Sequence, residues 1–223
     1  MTKAKRPSEK ALRKDIVATA LAMNRSGLSP LRSGNVSCRF KDGMLITPSG
    51  QRYEDTEPDD IVFVAADGSV PGGQLKPSSE WHFHLGVYRS RPNAHALVHT
   101  HSTYATVLAC AQKPIPAFHY MVAVAGGKDI PCVTYATFGT EELARHVARG
   151  LQERNACLMA NHGQIALGAT LSEALELAFE VEVLAEQYYK LLALGGAPHL
   201  LDDAEMTRNV EKFKTYGQKG QDN

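Results

Sequence analysis

The chain has 223 residues, 43% of them hydrophobic and 22% charged, and 24 basic side chains balance 24 acidic ones. A chain of this length and composition can fold as one α/β or α+β domain without disulfides, so we expect a single domain over 1–223 with flexible ends at about 1–8 and 218–223. Neutral charge disfavours a protein that binds nucleic acid by neutralising phosphates, and no apolar run approaches the ~18 residues of a membrane span. The basic start leads into no apolar segment, which disfavours a secretory signal and predicts a cytoplasmic location.

The first part of the chain is predicted to form one helix followed by short strands. Apolar side chains spaced by four residues follow Ser8, a suitable N-cap, and Gly27 and Pro30 end this helix. Strands are predicted at 36–40, 44–47 and 61–65, and the Asp42-Gly43 turn joins the first two into a hairpin. A further helix begins near Glu80 and reaches about Arg89.

The rest of the chain alternates between strands and helices. Strands are predicted at 95–100, 130–135, 157–160 and 164–167, and helices at 102–111, 141–151, 171–194 and 203–216. The helix at 171–194 is expected to stop at Gly195-Gly196. Early hairpins followed by this alternation predict helices packed on a mixed sheet.

Histidines provide the strongest local signal for chemistry. His99 and His101 are two residues apart on a predicted strand, so both point to the same face and can form half of a tetrahedral zinc site. His162 follows another buried strand, and Gly163 after it permits close approach of the backbone. On local grounds an HxH pair without metal and a hydrogen-bonded core histidine both stay open. His82 and His84 share a predicted helix at i and i+2, where they diverge and cannot share a metal.

Several polar residues near predicted turns are candidates for an anion site. Ser78 and Ser79 precede the helix that begins near Glu80, and helix N-termini with free amides bind phosphate well. Loops 47–50 and 34–35 are also rich in small or polar residues. Each of these segments alone is equally compatible with an ordinary turn, and Glu80 alone is compatible with helix capping.

Taken together, eight motifs in order resemble those of the class II aldolase and adducin family, and most of all its branch that acts on L-fuculose 1-phosphate. They cover the chain from about 30 to 217 and are GNVS (34–37), LITPSG (45–50), SSEW (78–81), VHTH (98–101), HYM (119–121), YATFGT (135–140), NHG (161–163) and FKTYG (213–217). The resemblance implies a three-layer α/β/α fold with a mixed, mainly antiparallel central sheet. It also implies a cyclic homotetramer with its sites at subunit interfaces.

The resemblance further implies an aldehyde-lyase that cleaves a ketose 1-phosphate, L-fuculose 1-phosphate or a related sugar. The products would be dihydroxyacetone phosphate and an aldehyde such as L-lactaldehyde, formed through an enediolate that zinc stabilises. One Zn²⁺ per subunit, or another divalent metal, would be bound by His99, His101 and His162. Glu80 would be the acid/base, and a fourth metal ligand when substrate is absent.

The remaining site residues also follow from the resemblance. Tyr120 would come from a neighbouring subunit and act at the aldehyde oxygen, and Phe138 would line the pocket. Phe213 and Tyr216 would close over the substrate. The phosphate would be held by Asn35, Ser49, Gly50, Ser78 and Ser79.

Two other functions are found in proteins that resemble this fold. An isomerase similar to L-ribulose-5-phosphate 4-epimerase uses the same metal histidines but has Asp where Glu80 stands. A non-catalytic assembly module similar to adducin heads has lost the histidines. Arg32 is a departure from the fuculose branch, which has a small hydroxylated residue there, so Arg32 either adds a phosphate contact or narrows the site.

Overall fold

The computed structural model describes residues 7–195 and 197–216, beginning with helix α1 (Glu9–Arg25). The Ser8 hydroxyl accepts a hydrogen bond from the Ala11 N–H at 3.2 Å, which satisfies one free amide of the first turn. Gly27 follows the helix with φ of 81°. The predicted start and end of this helix are confirmed. The expected flexible ends lie outside the described residues except for residues 7 and 8, and the single domain over 1–223 stays a prediction.

Seven strands of the described chain form one sheet in the order β3-β2-β1-β4-β7-β6-β5. All neighbours are antiparallel except β5 and β6, as expected for a mixed, mainly antiparallel sheet. In the two central pairings, Asn35 lies opposite His99 and His99 lies opposite Ile165. The strands are β1 (Asn35–Phe40), β2 (Gly43–Ile46), β3 (Val62–Val64), β4 (Ala96–Thr100), β5 (Cys132–Val133), β6 (Ala156–Met159) and β7 (Gly163–Gly168).

Helices cover both faces of the sheet. The side chains of β4 alternate: Ala96 and Val98 pack into a core with α1, whereas Leu97 packs into a second core on the opposite face. The first core also contains α3 (Thr103–Cys110) and α5 (Leu171–Ala193), and the second contains α2 (Trp81–Ser90) and α4 (Glu141–Gly150). This arrangement is the predicted three-layer α/β/α fold.

Two of the predicted elements were too long. The strand predicted at 130–135 has only two residues in the sheet, because Ile130 pairs with Ile115 instead and Pro131 has no N–H to donate. The last helix, α6 (Asp203–Phe213), ends before Tyr216 because the N–H groups of residues 214–216 turn back to carbonyls three residues earlier.

Other features complete the path of the chain. A 3₁₀ helix, Tyr120–Ala125, packs against α6 and was not predicted. Gly195 follows α5 with φ of 78°, as expected for a helix stop, and Gly196 lies outside the described residues. No helix in the described ranges is both long and apolar enough to cross a membrane.

Candidate metal centre and active site

Four side chains from separate elements converge at one end of the central strands. His99 belongs to β4 and His101 follows its last residue, while His162 lies in the turn between β6 and β7. Glu80 is the residue before α2. One ligand atom from each of the four residues lies within 4.8 Å of all the others, and the three imidazole rings are each 4.9 Å apart between centroids.

The hydrogen bonds fix which nitrogen of His99 faces the cluster. His99 Nδ1 lies 2.8 Å from the carbonyl oxygen of Gln164, which can only accept, so Nδ1 carries the proton. His99 Nε2 therefore presents a lone pair to its neighbours, 3.1 Å from His101 Nε2 and 3.1 Å from Glu80 Oε2. In metal-binding histidines, the ring nitrogen that does not face the metal commonly donates its proton to a backbone carbonyl in this way.

Glu80 completes a donor set that fits a cation. Its Oε1 is 3.0 Å from His162 Nε2 but receives no well-directed hydrogen bond from any described residue. Its side chain makes no capping hydrogen bond to the helix that it precedes, so capping does not account for its position. Three imidazoles and one carboxylate oxygen at these separations match the ligands and the tetrahedral coordination that Zn²⁺ prefers.

The charge states of the cluster favour the same interpretation. Burial opposes ionisation of Glu80, but His99 and His162 beside it outweigh this effect and hold the pKa of its carboxyl well below the usual range. Burial, together with the imidazoles of His99 and His162, lowers the pKa of His101 to about 3. The cluster therefore contains an anionic carboxylate and at least one neutral imidazole near pH 7.

Two loops that carry the predicted phosphate residues lie side by side. The Ser49 N–H donates to the carbonyl of Lys76 at 2.9 Å, and the Ser78 N–H donates to the carbonyl of Thr47 at 3.0 Å. These two bonds bring Ser49 and Gly50 next to Ser78 and Ser79, although about 30 residues of chain separate them. The Arg32 guanidinium donates to the carbonyl of Gly50 at 3.1 Å and so lies beside the same loops.

A cavity of about 330 Å³ extends from these loops to the cluster of Glu80 and histidines. Its lining includes one Lys or Arg side chain among the described residues, that of Arg32. The lining contains six of the predicted substrate residues and three of the four cluster residues: Asn35, Ser49, Gly50, Ser78, Ser79, Phe138, Glu80, His101 and His162.

Three predicted site residues lie elsewhere in the same chain. Tyr120, Phe213 and Tyr216 form an aromatic cluster on the surface and do not line the cavity. The rings of Tyr120 and Phe213 are stacked with centroids 6.3 Å apart, and Phe213 contacts Tyr216 edge to face at 5.7 Å. Tyr120 is 49% exposed and Tyr216 is 77% exposed, so this cluster is accessible to a second copy of the chain.

Several residues near the site have no role predicted from the sequence. Tyr135 and Asn161 line the cavity, and both were within motifs whose order was noted. His84 is fully buried and lies 2.5 Å from Asn35, whose other amide atom contacts Glu80. The i, i+4 spacing of His84 and Tyr88 indicated that they share one helix face, but their contact with Ser37 on β1 follows only from the packing of α2 on the sheet.

Comparison with known proteins agrees with these observations. Residues 14–189 match the sequence profile of the class II aldolase and adducin N-terminal domain. A 5-methylthioribulose-1-phosphate/5-deoxyribulose-1-phosphate aldolase of Rhodospirillum rubrum is 51% identical and covers 95% of both chains. An L-fuculose phosphate aldolase of Escherichia coli K12 is 50% identical, covering 92% of this chain and 95% of its own. A solved structure of an L-fuculose 1-phosphate aldolase superposes with a TM-score of 0.87 at 41% identity, covering 91% of this chain and 96% of its own.

Proposed function

The chain belongs to the class II aldolase and adducin family, and from this premise we propose that it cleaves a ketose 1-phosphate to dihydroxyacetone phosphate and an aldehyde. It is a class II aldolase by its similarity to the aldolases described above. The observation that carries the proposed reaction is the convergence of Glu80 with three histidines at the base of the cavity.

We propose Zn²⁺ as the metal held by His99, His101 and His162, with Glu80 as a fourth ligand in the absence of substrate. A bound divalent cation would act as a Lewis acid and stabilise the negative charge that develops on substrate oxygens. The orientation of His99 by the Gln164 carbonyl supports this assignment, because it leaves the ring nitrogen that faces the cluster free to bind.

Glu80 is proposed as the group that moves a proton at the substrate carbon. Cleavage breaks the bond between C3 and C4: the C4 hydroxyl loses a proton, the bonding electrons move toward the C2 carbonyl, and C3 then takes a proton. The buried Glu80 carboxylate is ionised, so it must first take up a proton: its oxygen without a well-directed hydrogen bond is suited to accept the proton released by the C4 hydroxyl and then to deliver it to C3.

The phosphate is proposed to lie against the loops of Ser49, Gly50, Ser78 and Ser79, with Arg32 beside them. Hydroxyls, amides and a guanidinium are the groups that bind phosphate oxygens well, and Arg32 supplies positive charge beside loops whose own side chains are uncharged. Asn35 lines the same cavity, but both atoms of its amide contact protein partners.

The far end of the substrate is proposed to be apolar. Tyr135 and Phe138 line the cavity and are 53% and 65% exposed. L-fuculose 1-phosphate and 5-deoxyribulose 1-phosphate both end in a methyl group, and 5-methylthioribulose 1-phosphate ends in a methylthio group. Aromatic side chains at the entrance would bury any of these groups, so the aldehyde product is expected to be deoxygenated at that end.

A homotetramer with shared sites is also proposed. Tyr120 is exposed and does not line the cavity of its own chain, so it is available to act in the cavity of a neighbour, at the oxygen of C4. Phe213 and Tyr216 belong to the same aromatic cluster and would approach the substrate with it. A cytoplasmic location stays a prediction.

The test is a cleavage assay with three sugar phosphates, L-fuculose 1-phosphate, 5-deoxyribulose 1-phosphate and 5-methylthioribulose 1-phosphate. Dihydroxyacetone phosphate is measured by coupled oxidation of NADH, and the aldehyde is identified by mass spectrometry. We expect cleavage of at least one sugar, loss of cleavage after chelation and recovery with Zn²⁺. Absence of metal-dependent cleavage of all three sugars would contradict the proposal.

The two alternatives are separated by adding L-ribulose 5-phosphate as a fourth substrate and by measuring the metal content of the purified protein. Epimerised pentose 5-phosphate without net cleavage would indicate an isomerase of the same family. Protein that binds no metal after purification without chelator, and that is inactive on every sugar phosphate, would indicate an assembly module.

A further inference from the structure

The Asn35 side chain lies between Glu80 and a second, fully buried histidine. Asn35 Nδ2 donates to Glu80 Oε2 at 3.0 Å, and Asn35 Oδ1 lies 2.5 Å from His84 Nε2. The series of polar contacts continues beyond His84. Its Nδ1 is 2.7 Å from the Ser37 hydroxyl, and that hydroxyl is 2.8 Å from the Tyr88 hydroxyl. The proposed mechanism gives no role to His84, Ser37 or Tyr88.

One set of protons satisfies every contact in this chain. The Glu80 carboxylate can only accept, so the amide nitrogen of Asn35 must face it and the amide oxygen must face His84. His84 Nε2 therefore carries the proton, and Nδ1 of the neutral ring accepts from Ser37. The Ser37 oxygen in turn accepts from Tyr88. Burial, with a smaller effect from His99, lowers the pKa of His84 to about 3, in agreement with a neutral ring.

We propose that His84, acting through Asn35, is a positioning residue that holds the Glu80 carboxylate in the orientation required for proton transfer. The inference rests on the proposed role of Glu80 as acid/base. When the nitrogens of His99 and His162 are bound to a cation they have no proton to donate. The Asn35 N–H is then the directed donor to Glu80 that remains among the described side chains.

The direction of the Asn35 amide depends on His84. An amide can rotate by half a turn about its last bond at little cost in shape, and it would then present its oxygen to the carboxylate, which is repulsive. The His84 Nε2–H group prevents this rotation, because a rotated amide would present its NH₂ group to a donor that requires an acceptor. A carboxylate without the Asn35 donor can rotate away from the reacting carbon, which slows proton transfer without weakening the binding of substrate.

A purely structural role for His84 predicts a different result. His84 packs beside Phe83, with ring centroids 4.7 Å apart, in the core under α2. If His84 only filled this core, its replacement would lower the free energy of unfolding and change turnover in proportion to the loss of folded or metal-loaded protein. Positioning instead predicts lower kcat in protein that is folded and fully loaded with metal.

The experiment compares three variants as metal-loaded holoenzymes. His84→Phe keeps the ring volume but removes the donor, and we expect kcat to fall about 10–100-fold with KM within about twofold and unchanged metal content. His84→Gln can donate to Asn35 and accept from Ser37, and we expect it to recover most of the loss. Tyr88→Phe is the matched control: it removes a hydroxyl from the same group but leaves the Ser37 proton directed at His84, so kcat should stay within about twofold of the unmodified protein.

Two outcomes would overturn the inference. One is unchanged kcat in folded His84→Phe, and the other is a loss of kcat that follows metal content. If His84→Phe does not fold, Ser37→Ala serves instead, because it removes the hydroxyl that fixes the ring proton on Nε2. We expect a severalfold loss of kcat in Ser37→Ala, and none would contradict the inference.

A crystal structure of His84→Phe provides a readout that does not depend on activity. We expect the contact between Asn35 and Glu80 to be broken and the carboxylate to be rotated. Retention of that contact would overturn the positioning role. If the unmodified protein cleaves none of the sugar phosphates, the proposed function fails, but this structural result still decides whether His84 orients Glu80.

Discussion

Glu80 is a buried carboxylate, and such a group is stable only where partners replace the water that it has lost. Its partners are of two kinds. His99 and His162 lie against its two oxygens on one side, at 3.1 and 3.0 Å, and the Asn35 N–H contacts Oε2 on the other. The two histidines can bind a cation through the nitrogens that face Glu80, whereas the amide N–H cannot. The residue can therefore serve as a metal ligand and as a proton carrier while its position is kept.

Replacement of Glu80 is expected to separate metal binding from turnover. Glu80→Gln keeps the shape of the side chain and the three histidines, so metal content should be retained while kcat falls about 10²–10⁴-fold. His162→Ala should lose the metal. The control His95→Ala changes an exposed histidine next to β4 and should keep both the metal and the turnover. Metal content by mass spectrometry and kcat by the cleavage assay measure both. Normal turnover in Glu80→Gln would contradict its assignment.

Arg32 is expected to affect binding more than chemistry. It is distant from the reacting carbons in the proposed pose and contacts the loop of Gly50, so it should stabilise substrate and transition state equally. Arg32→Gln should raise KM about 10–100-fold with little change in kcat, since a hydrogen bond to a charged group contributes about 1.5–3 kcal/mol. Arg32→Lys should recover part of the loss.

Inorganic phosphate provides an independent measure of the Arg32 contact. As a competitive inhibitor it should bind more weakly to Arg32→Gln by a similar factor. Arg25→Gln, which removes an exposed charge at the end of α1, is the matched control and should change neither constant. An unchanged KM in Arg32→Gln would show that Arg32 narrows the cavity without contacting phosphate.

At the scale of elements, the site depends on where three neighbouring strands begin and end. Asn35 is the first residue of β1, Thr100 is the last of β4, and Gly163 is the first of β7, and these strands are adjacent and antiparallel. Antiparallel pairing therefore brings the start of β1, the end of β4 and the turn before β7 to the same edge. The histidines are placed by the sheet, and Glu80 is brought to them by the packing of α2.

The sequence predicted the parts of this arrangement that depend on local periodicity. Alternation along β4 placed His99 and His101 on one face, and the order of strands and helices was correct. Contacts across long separations were not accessible in the same way: His84 reaches Asn35 only because α2 packs on the sheet, and no local pattern encodes that distance. The 3₁₀ helix Tyr120–Ala125 was missed because its apolar run has neither helical nor strand periodicity.

Gly163 determines how closely β7 approaches β4 at this edge. A Cβ at this position would overlap the carbonyl oxygen of Thr100 and come within 3.0 Å of His101 Cδ2. Gly163→Ala should therefore lower the free energy of unfolding by about 1–3 kcal/mol and displace His101, which weakens metal binding. Gly72→Ala is the control, since a Cβ there meets no atom within 4 Å. Thermal unfolding and competition with a chelator measure the two effects, and equal behaviour of both variants would contradict the prediction.

At the scale of the whole molecule, a protein without net charge would bind the proposed anionic substrate through a local arrangement. The cavity combines serine hydroxyls and Arg32 with the cluster of Glu80 and histidines, so a basic surface is not required. The same cavity lacks the aromatic cluster of Tyr120, Phe213 and Tyr216, which lies exposed elsewhere on the chain. A shared site accounts for both observations: each cavity would be completed by the aromatic cluster of a neighbouring copy.

Mixing of two inactive variants tests whether the site is shared. Glu80→Gln lacks the proton carrier of the cavity, and Tyr120→Phe lacks the hydroxyl that a neighbouring copy would supply. If sites form between chains, co-expression of the two variants with separate affinity tags should restore about a quarter of the activity of the unmodified assembly, since random pairing leaves that share of interfaces with both residues intact. Glu80→Gln mixed with His162→Ala should restore nothing, because both residues belong to one cavity of one chain. If the first mixture is also no more active than its parents, Tyr120 does not act across an interface.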